Sequence, residues 1–149
     1  MTEKKDNNLP FVKGERIFLG VISLLCLVLI SIGLILKLDP SGLGTHTQLG
    51  LPPCEFLLST GKPCITCGAT TAFVLCAHGR IFEGFKTHPF GAFVFFACIF
   101  IAFSCIKALV TGNSLLLKVA ILPWGSIIIF IIAFALLSWI YKLLTWNPK

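Results

Sequence analysis

The sequence predicts an all-α integral membrane protein with three transmembrane helices plus one or two short interfacial helices between the first and second spans. Hydrophobic residues make up 56% of the 149 residues and charged residues only 12%, whereas a soluble domain carries about 25% charged residues. Three long apolar runs without charge are separated by segments rich in turn residues. This composition excludes an ordinary soluble domain, and it also excludes a disordered chain, which would be polar and poor in aromatic residues.

The first span is predicted at residues 17–36, after a polar, basic tail at residues 1–16 that we assign to the cytoplasm. Twenty uncharged helical residues cover about 30 Å, which is the thickness of the hydrocarbon layer. The run is longer than the apolar core of a signal peptide, and no Ala-x-Ala-like cleavage site follows it. We therefore expect the span to stay in place.

Residues 37–88 form the only long segment without a clear span, and they begin with Pro and Gly turns. A helix is predicted from about Cys67 to about His78, with Gly79 as its C-cap. It is too short to cross a membrane, so we expect it at the membrane edge. Residues 80–88 predict a short interfacial amphipathic turn.

The second and third spans are predicted at residues 89–110 and 119–144. Pro89 suits the first turn of a helix, where its missing N–H costs no hydrogen bond. Aromatic residues lie near the two ends of the third run, as in an interfacial aromatic belt: Trp124, Trp139, Tyr141 and Trp146.

The net charge of +6 comes from scattered basic residues. Because they flank the apolar runs instead of gathering on one face, the pattern favours lipid headgroups over a nucleic acid. The expected partners are the lipid bilayer and a further membrane protein, with no nucleic acid. Four basic residues before the first span favour a cytoplasmic N-terminus, which places the cysteine-containing segment on the opposite side: Lys4, Lys5, Lys13 and Arg16.

Seven cysteines divide into two groups. Cys26, Cys98 and Cys105 lie inside apolar runs, where a cysteine is typically a small buried hydrophobe. The others lie in the connecting segment, and Cys64-x-x-Cys67 has the spacing of a metal chelate on a turn. Gly68 lets this turn adopt backbone conformations that a side chain would disfavour. The N-terminus of the following helix is expected to lower the pKa of the Cys67 thiol.

A metal site with four ligands needs more than this pair. Cys76 lies nine positions after Cys67, about 13 Å away along a continuous helix, so Cys54 is the better third ligand. We therefore predict a metal site, plausibly for zinc, at Cys54, Cys64 and Cys67. The spacing alone leaves open a dithiol–disulfide couple and a purely packing role.

The remaining polar residues indicate no catalytic site. We expect His46 to be exposed, His78 to complement a helix dipole, and His88 to mark a helix boundary. Thr70 and Thr71 are expected to hydrogen-bond back onto their own helix.

Common enzyme templates are absent from the sequence: Gly-x-Ser-x-Gly, Walker A, His-Glu-x-x-His and Gly-x-Gly-x-x-Gly. The sequence thus favours a non-enzymatic membrane protein with a Cys-x-x-Cys-Gly site at the membrane surface, binding zinc for structural purposes. The alternatives are a membrane thiol–disulfide redox protein and a structural or accessory subunit of a membrane complex.

The ordered motifs between Cys54 and Pro89 resemble the domain of unknown function 2752 family of small bacterial membrane proteins. Matching positions are Cys54, Thr60, Gly61, Cys64, Cys67, Gly68, Thr70, Ala72, Gly79 and Pro89. The resemblance implies a membrane location, here a bacterial inner membrane, and three cysteines that act together. The chain departs from the family pattern at Glu55, Ile65, Thr71, Arg80 and His88, so no role of the family arginine or acid carries over.

Overall fold

The computed structural model describes residues 13–38, 45–112 and 122–146, and every regular element within these ranges is helical. The elements are α1 (Lys13–Ile35), a 3₁₀ helix (Thr45–Leu49), α2 (Glu55–Thr60), α3 (Ala69–Ala77), α4 (Ile81–Thr87), α5 (Pro89–Thr111) and α6 (Trp124–Thr145). The predicted all-α fold is confirmed. Most of the predicted tail, residues 1–12, and the start of the predicted third span lie outside the described residues.

Three of these helices, α1, α5 and α6, are long and apolar enough to cross a membrane. Most of their large apolar side chains are exposed at the surface of the protein. Such a surface is compatible with lipid and unfavourable in water. The chain is therefore an integral membrane protein with short helices between its first and second spans.

The connecting segment and the C-terminal end of α6 lie on one side of the bundle. Trp139 and Trp146, at the end of α6, each donate a hydrogen bond to the segment between α2 and α3. Because α1 ends and α5 begins beside this segment, all three spans present one end to it. The end of α6 is thus tied to the part of the segment that flanks Cys64.

Small residues line the contact between α1 and α5. Cys26 packs against Cys98 and Ala102 in one buried cluster. Leu19, Cys105 and Ala108 form another. Small side chains let two membrane helices approach closely, so the three cysteines of the spans serve as small buried hydrophobes, as their apolar surroundings indicated.

Helix α3 packs against the start of α5 with almost no space between the two backbones. A Cβ atom added to Gly91 would overlap the carbonyl oxygen of Ala69. One turn further into each helix, the rings of Phe73 and Phe95 meet edge to face with centroids 5.2 Å apart. Gly91 is therefore required by its neighbour, and this contact fixes α3 beside the cysteine-containing turn.

We expect Gly91→Ala to destabilise the protein by about 1–3 kcal/mol, as overpacking against a backbone atom does. The measurement is unfolding of the detergent-solubilised protein, followed by circular dichroism. Gly20→Ala in α1 is the matched control, because no atom lies within 4 Å of its added Cβ. That control is expected to be neutral or slightly stabilising, and equal losses in the two variants would contradict the close-contact explanation.

Candidate metal centre

The structure brings three cysteine sulfurs of the connecting segment together. The Sγ atoms of Cys54, Cys64 and Cys67 all lie within 4.8 Å of one another. Cys54 is the N-cap of α2, whereas Cys64 and Cys67 lie on the turn that leads into α3. A metal role for these three residues stays a prediction, and their convergence is the geometry that the prediction requires.

The turn that carries Cys64 and Cys67 owes its shape to local backbone bonds. The N–H of Cys67 donates to the carbonyl of Cys64 at 3.1 Å, and the N–H of Ala69 donates to that of Thr66 at 3.0 Å. Gly68 then adopts φ 90°, in the left-handed region that favours glycine. The two sulfurs consequently face each other at 3.3 Å.

The two thiols of this turn are not equivalent. Burial raises the pKa of Cys64, but hydrogen bonds from Thr66 and Cys67 to the thiolate outweigh it, and the pKa falls to about 7. Burial and the neighbouring Cys64 raise the pKa of Cys67 to about 12. The expectation that the helix N-terminus lowers the Cys67 pKa is therefore wrong. Cys67 is only 4% exposed, and its desolvation outweighs the helix dipole.

Three ring N–H groups hold the chain on both sides of Cys64. The indole of Trp146 donates to the carbonyl of Gly61 at 3.1 Å, and that of Trp139 donates to Pro63 at 3.0 Å. The imidazole Nε2 of His88 lies 3.1 Å from the carbonyl of Ile65. Alternate carbonyls of one segment are thus bound from one side. Aromatic donors have few rotatable bonds, so they fix the segment at a low cost in conformational entropy.

His88 is completely buried, with 0% exposure, and connects three elements. A carbonyl can only accept, so Nε2 carries the proton and donates to Ile65. Nδ1 then accepts from the N–H of Gly91 at 3.3 Å and from the hydroxyl of Ser138 at 3.1 Å. Ser138 in turn accepts from the N–H of Phe90 at 3.0 Å. Every donor in this network meets an acceptor only when His88 is neutral.

We expect the stability of the protein to fall as the pH drops below about 6.5, the ordinary pKa of histidine. Burial lowers the pKa of His88, and the charge of nearby Lys142 lowers it further. The unfolded chain therefore takes up a proton at a higher pH than the folded chain. The contribution of neutral His88 to the free energy of unfolding is complete above the ordinary histidine pKa. It is lost as the pH falls from that value to the lower pKa of His88 in the folded protein.

Unfolding of the wild type and of His88→Gln, measured across this pH range, checks the expectation. The variant should lack the decrease that His88 causes, because glutamine does not titrate. A decrease of the same size in both proteins would assign it to other groups.

One face of α6 supplies site residues that the sequence analysis missed. Ser138, Trp139, Lys142 and Trp146 fall within an arc of about 100° at 3.6 residues per turn. The sequence analysis assigned the two indoles to an aromatic belt, and it assigned His88 to a boundary. The placement of these four side chains on one face was the available signal, because polar side chains in a membrane span face the interior of the protein instead of lipid.

Other candidate residues lie elsewhere. Cys76 is buried against Ala92 and Phe95. His78 is the C-cap of α3, and its Nε2 lies 3.1 Å from the carbonyl of Leu36, at the end of α1. The hydroxyl of Thr71 lies 2.9 Å from that of Thr45 in the 3₁₀ helix, so the expected bond of Thr71 to its own helix is wrong. The side chain of His46 lies outside the described residues.

The comparisons with known proteins bear on the same segment. Residues 54–102 match the model of the family described as protein of unknown function (DUF2752). No curated protein and no solved structure matches the chain. The matched segment begins at Cys54, contains α2, α3 and α4, and ends within α5, so all three cysteines and His88 fall inside it. The resemblance is therefore confirmed for residues 54–102, which are similar to the DUF2752 family.

Proposed function

We propose that this integral membrane protein binds a metal ion of the zinc class through Cys54, Cys64 and Cys67, and that the ion fixes the connecting segment to the ends of the spans. The observation that carries the proposal is the convergence of three sulfurs within 4.8 Å of one another. Zinc bonded to sulfur at about 2.3 Å in a tetrahedron holds its sulfurs about 3.8 Å apart. Small side-chain movements would bring the three thiols to that spacing.

A structural metal fits the weak packing of this segment. Helix α2 has six residues and buries none of them, and its N-cap Cys54 makes no capping hydrogen bond through its side chain. So short a helix is marginal without tertiary support. A metal that joins Cys54 to Cys64 and Cys67 would supply that support, since binding free energy becomes folding free energy at such a site.

The proposal includes an orientation. The basic residues before α1 favour a cytoplasmic N-terminus, which puts the metal site and the end of α6 on the opposite face of a bacterial inner membrane. A membrane-impermeant thiol reagent applied to intact cells, after chelation, should then label Cys64. Labelling only after the cells are opened would indicate the opposite orientation. That result would not contradict the proposed metal site.

The decisive experiment is elemental analysis of the full chain, purified in detergent without chelators. We expect about one equivalent of zinc per chain, and loss of most of it in Cys54→Ser, Cys64→Ser and Cys67→Ser. Cys98→Ala is the control, because Cys98 is buried in the α1–α5 contact. Less than about a tenth of an equivalent of any metal in the wild type would overturn the proposal; these stoichiometries assume a single three-thiolate site.

A second function is favoured by the asymmetry of the two thiols. The Sγ atoms of Cys64 and Cys67 lie 3.3 Å apart, and Cys64 has the lower pKa, about 7. In thiol–disulfide exchange the Cys64 thiolate would attack a substrate disulfide and release one substrate thiol. Cys67 would then attack the mixed disulfide, releasing the second thiol and passing its proton to the leaving sulfur.

The exchange function predicts that Cys67→Ser accumulates mixed disulfides through Cys64, because the resolving thiol is missing. Cys64→Ser should accumulate none. Non-reducing electrophoresis of membranes after acid quenching measures both. If both thiols of the metal-free native protein resist alkylation, this function is excluded, while the metal site remains open to the test above.

A further inference from the structure

Lys142 is buried close to the cysteine-containing turn. It lies in the last turn of α6 and is only 9% exposed. Its ammonium group is 6.0 Å from the centre of the Trp146 ring, and it is close enough to Cys67 and His88 to interact electrostatically with both. Within residues 13–38, 45–112 and 122–146, Lys142 forms no ion pair with a carboxylate.

A lysine at this depth would ordinarily extend its ammonium group to the headgroup region. Here the ammonium-bearing side chain is buried instead, between two indoles of the same helix end that donate to the connecting segment. Removing an ammonium ion from water has a large free-energy cost unless a negative charge lies close to it. The contact with the aromatic ring of Trp146 offsets only part of this cost. We therefore expect an anion beside the ammonium group of Lys142.

The proposed metal centre supplies such an anion. Three thiolates and one divalent cation carry a net charge of −1, and Lys142 brings the total to zero. Neutrality matters here because effective charge interactions strengthen as the site is shielded from water.

We propose that Lys142 is the counter-ion of a divalent metal held by Cys54, Cys64 and Cys67. This inference rests on the proposed function. Lys142 is here a positioning residue, which touches no metal and acts through its charge.

The test compares two ligands that differ in the charge of their complexes. Zn²⁺ displaces three thiol protons and leaves an anionic tris-thiolate. Arsenous acid condenses with three thiols, releases three waters and leaves a neutral tris-thiolate. Lys142→Met keeps most of the side-chain volume and removes the charge. Both affinities are measured on the full chain in detergent, zinc by chelator competition and arsenite by protection of the thiols from alkylation.

We expect Lys142→Met to weaken zinc binding by about 10- to 100-fold, the effect typical of residues just outside a metal's ligands, and to leave arsenite binding unchanged. Lys142→Arg should recover most of the zinc affinity because it restores the charge. Lys86→Met on α4 is the control, since Lys86 is exposed. Its zinc affinity should equal that of the wild type.

Two results would overturn the inference. An equal loss of zinc and arsenite binding in Lys142→Met would show that the lysine supports the fold of the site, and an unchanged zinc affinity would show that its charge does not act on the metal. A wild type that binds no divalent metal, whatever Lys142 does, would instead overturn the proposed function itself. Circular dichroism of each variant separates unfolding from a change in affinity.

Discussion

His88→Leu is expected to destabilise the protein by about 3 kcal/mol or more, since each buried polar group that loses its partner costs about 1–3 kcal/mol. The substitution removes an acceptor for the N–H of Gly91 and for the hydroxyl of Ser138. It also removes the donor to the carbonyl of Ile65. Leucine fills a similar space, so the loss reflects the hydrogen bonds more than a cavity.

The measurement is chemical unfolding in detergent above pH 7, where His88 is neutral in both states. Ser138→Ala is the graded control: it removes one partner of Nδ1 and should cost about 1 kcal/mol. The double variant should cost less than the sum of the two single ones, because they share a bond. A loss below about 1 kcal/mol for His88→Leu would contradict the network as the link between the cysteine turn, α5 and α6.

Removal of the bound metal is expected to have the second large effect. A ligand present at 1,000 times its dissociation constant stabilises the folded state by about 4 kcal/mol. For a chain of this length such a change lowers Tm by about 10 °C. The physical reason is that the connecting segment, above all α2, then loses the link that ties Cys54 to the turn.

The check is thermal unfolding of the wild type with free zinc held at fixed levels, and again after a strong chelator. Cys64→Ser should unfold at one temperature under both conditions, whereas Cys98→Ala should keep the zinc-dependent shift. Hydrogen exchange should place the change in residues 54–68 and leave the middle of α5 protected. A zinc-dependent shift that persists in Cys64→Ser would assign the stabilisation to another site.

Local features of the sequence determined much of the molecule. The spans follow from the length of the uncharged runs, because a helix of about 20 apolar residues satisfies its own backbone while its side chains face lipid. Cys64 and Cys67 converge because three positions on one turn bring two side chains to the same side. The short helix α3 follows from Gly68 before it and Gly79 after it. Each of these outcomes depends on neighbours within a few residues.

The tertiary structure alone decided how the candidate site is held and charged. Trp146 binds Gly61 across 85 positions, and Trp139 binds Pro63 across 76. His88 resembles a boundary residue until α6 brings Ser138 beside it. The pKa of Cys67 is raised, contrary to the sequence expectation, because burial depends on what covers the sulfur. Hydropathy records only the preference of a residue for lipid, so it identified α6 as a span. It could not show that Lys142, on one face of that span, is buried and lies near Cys67.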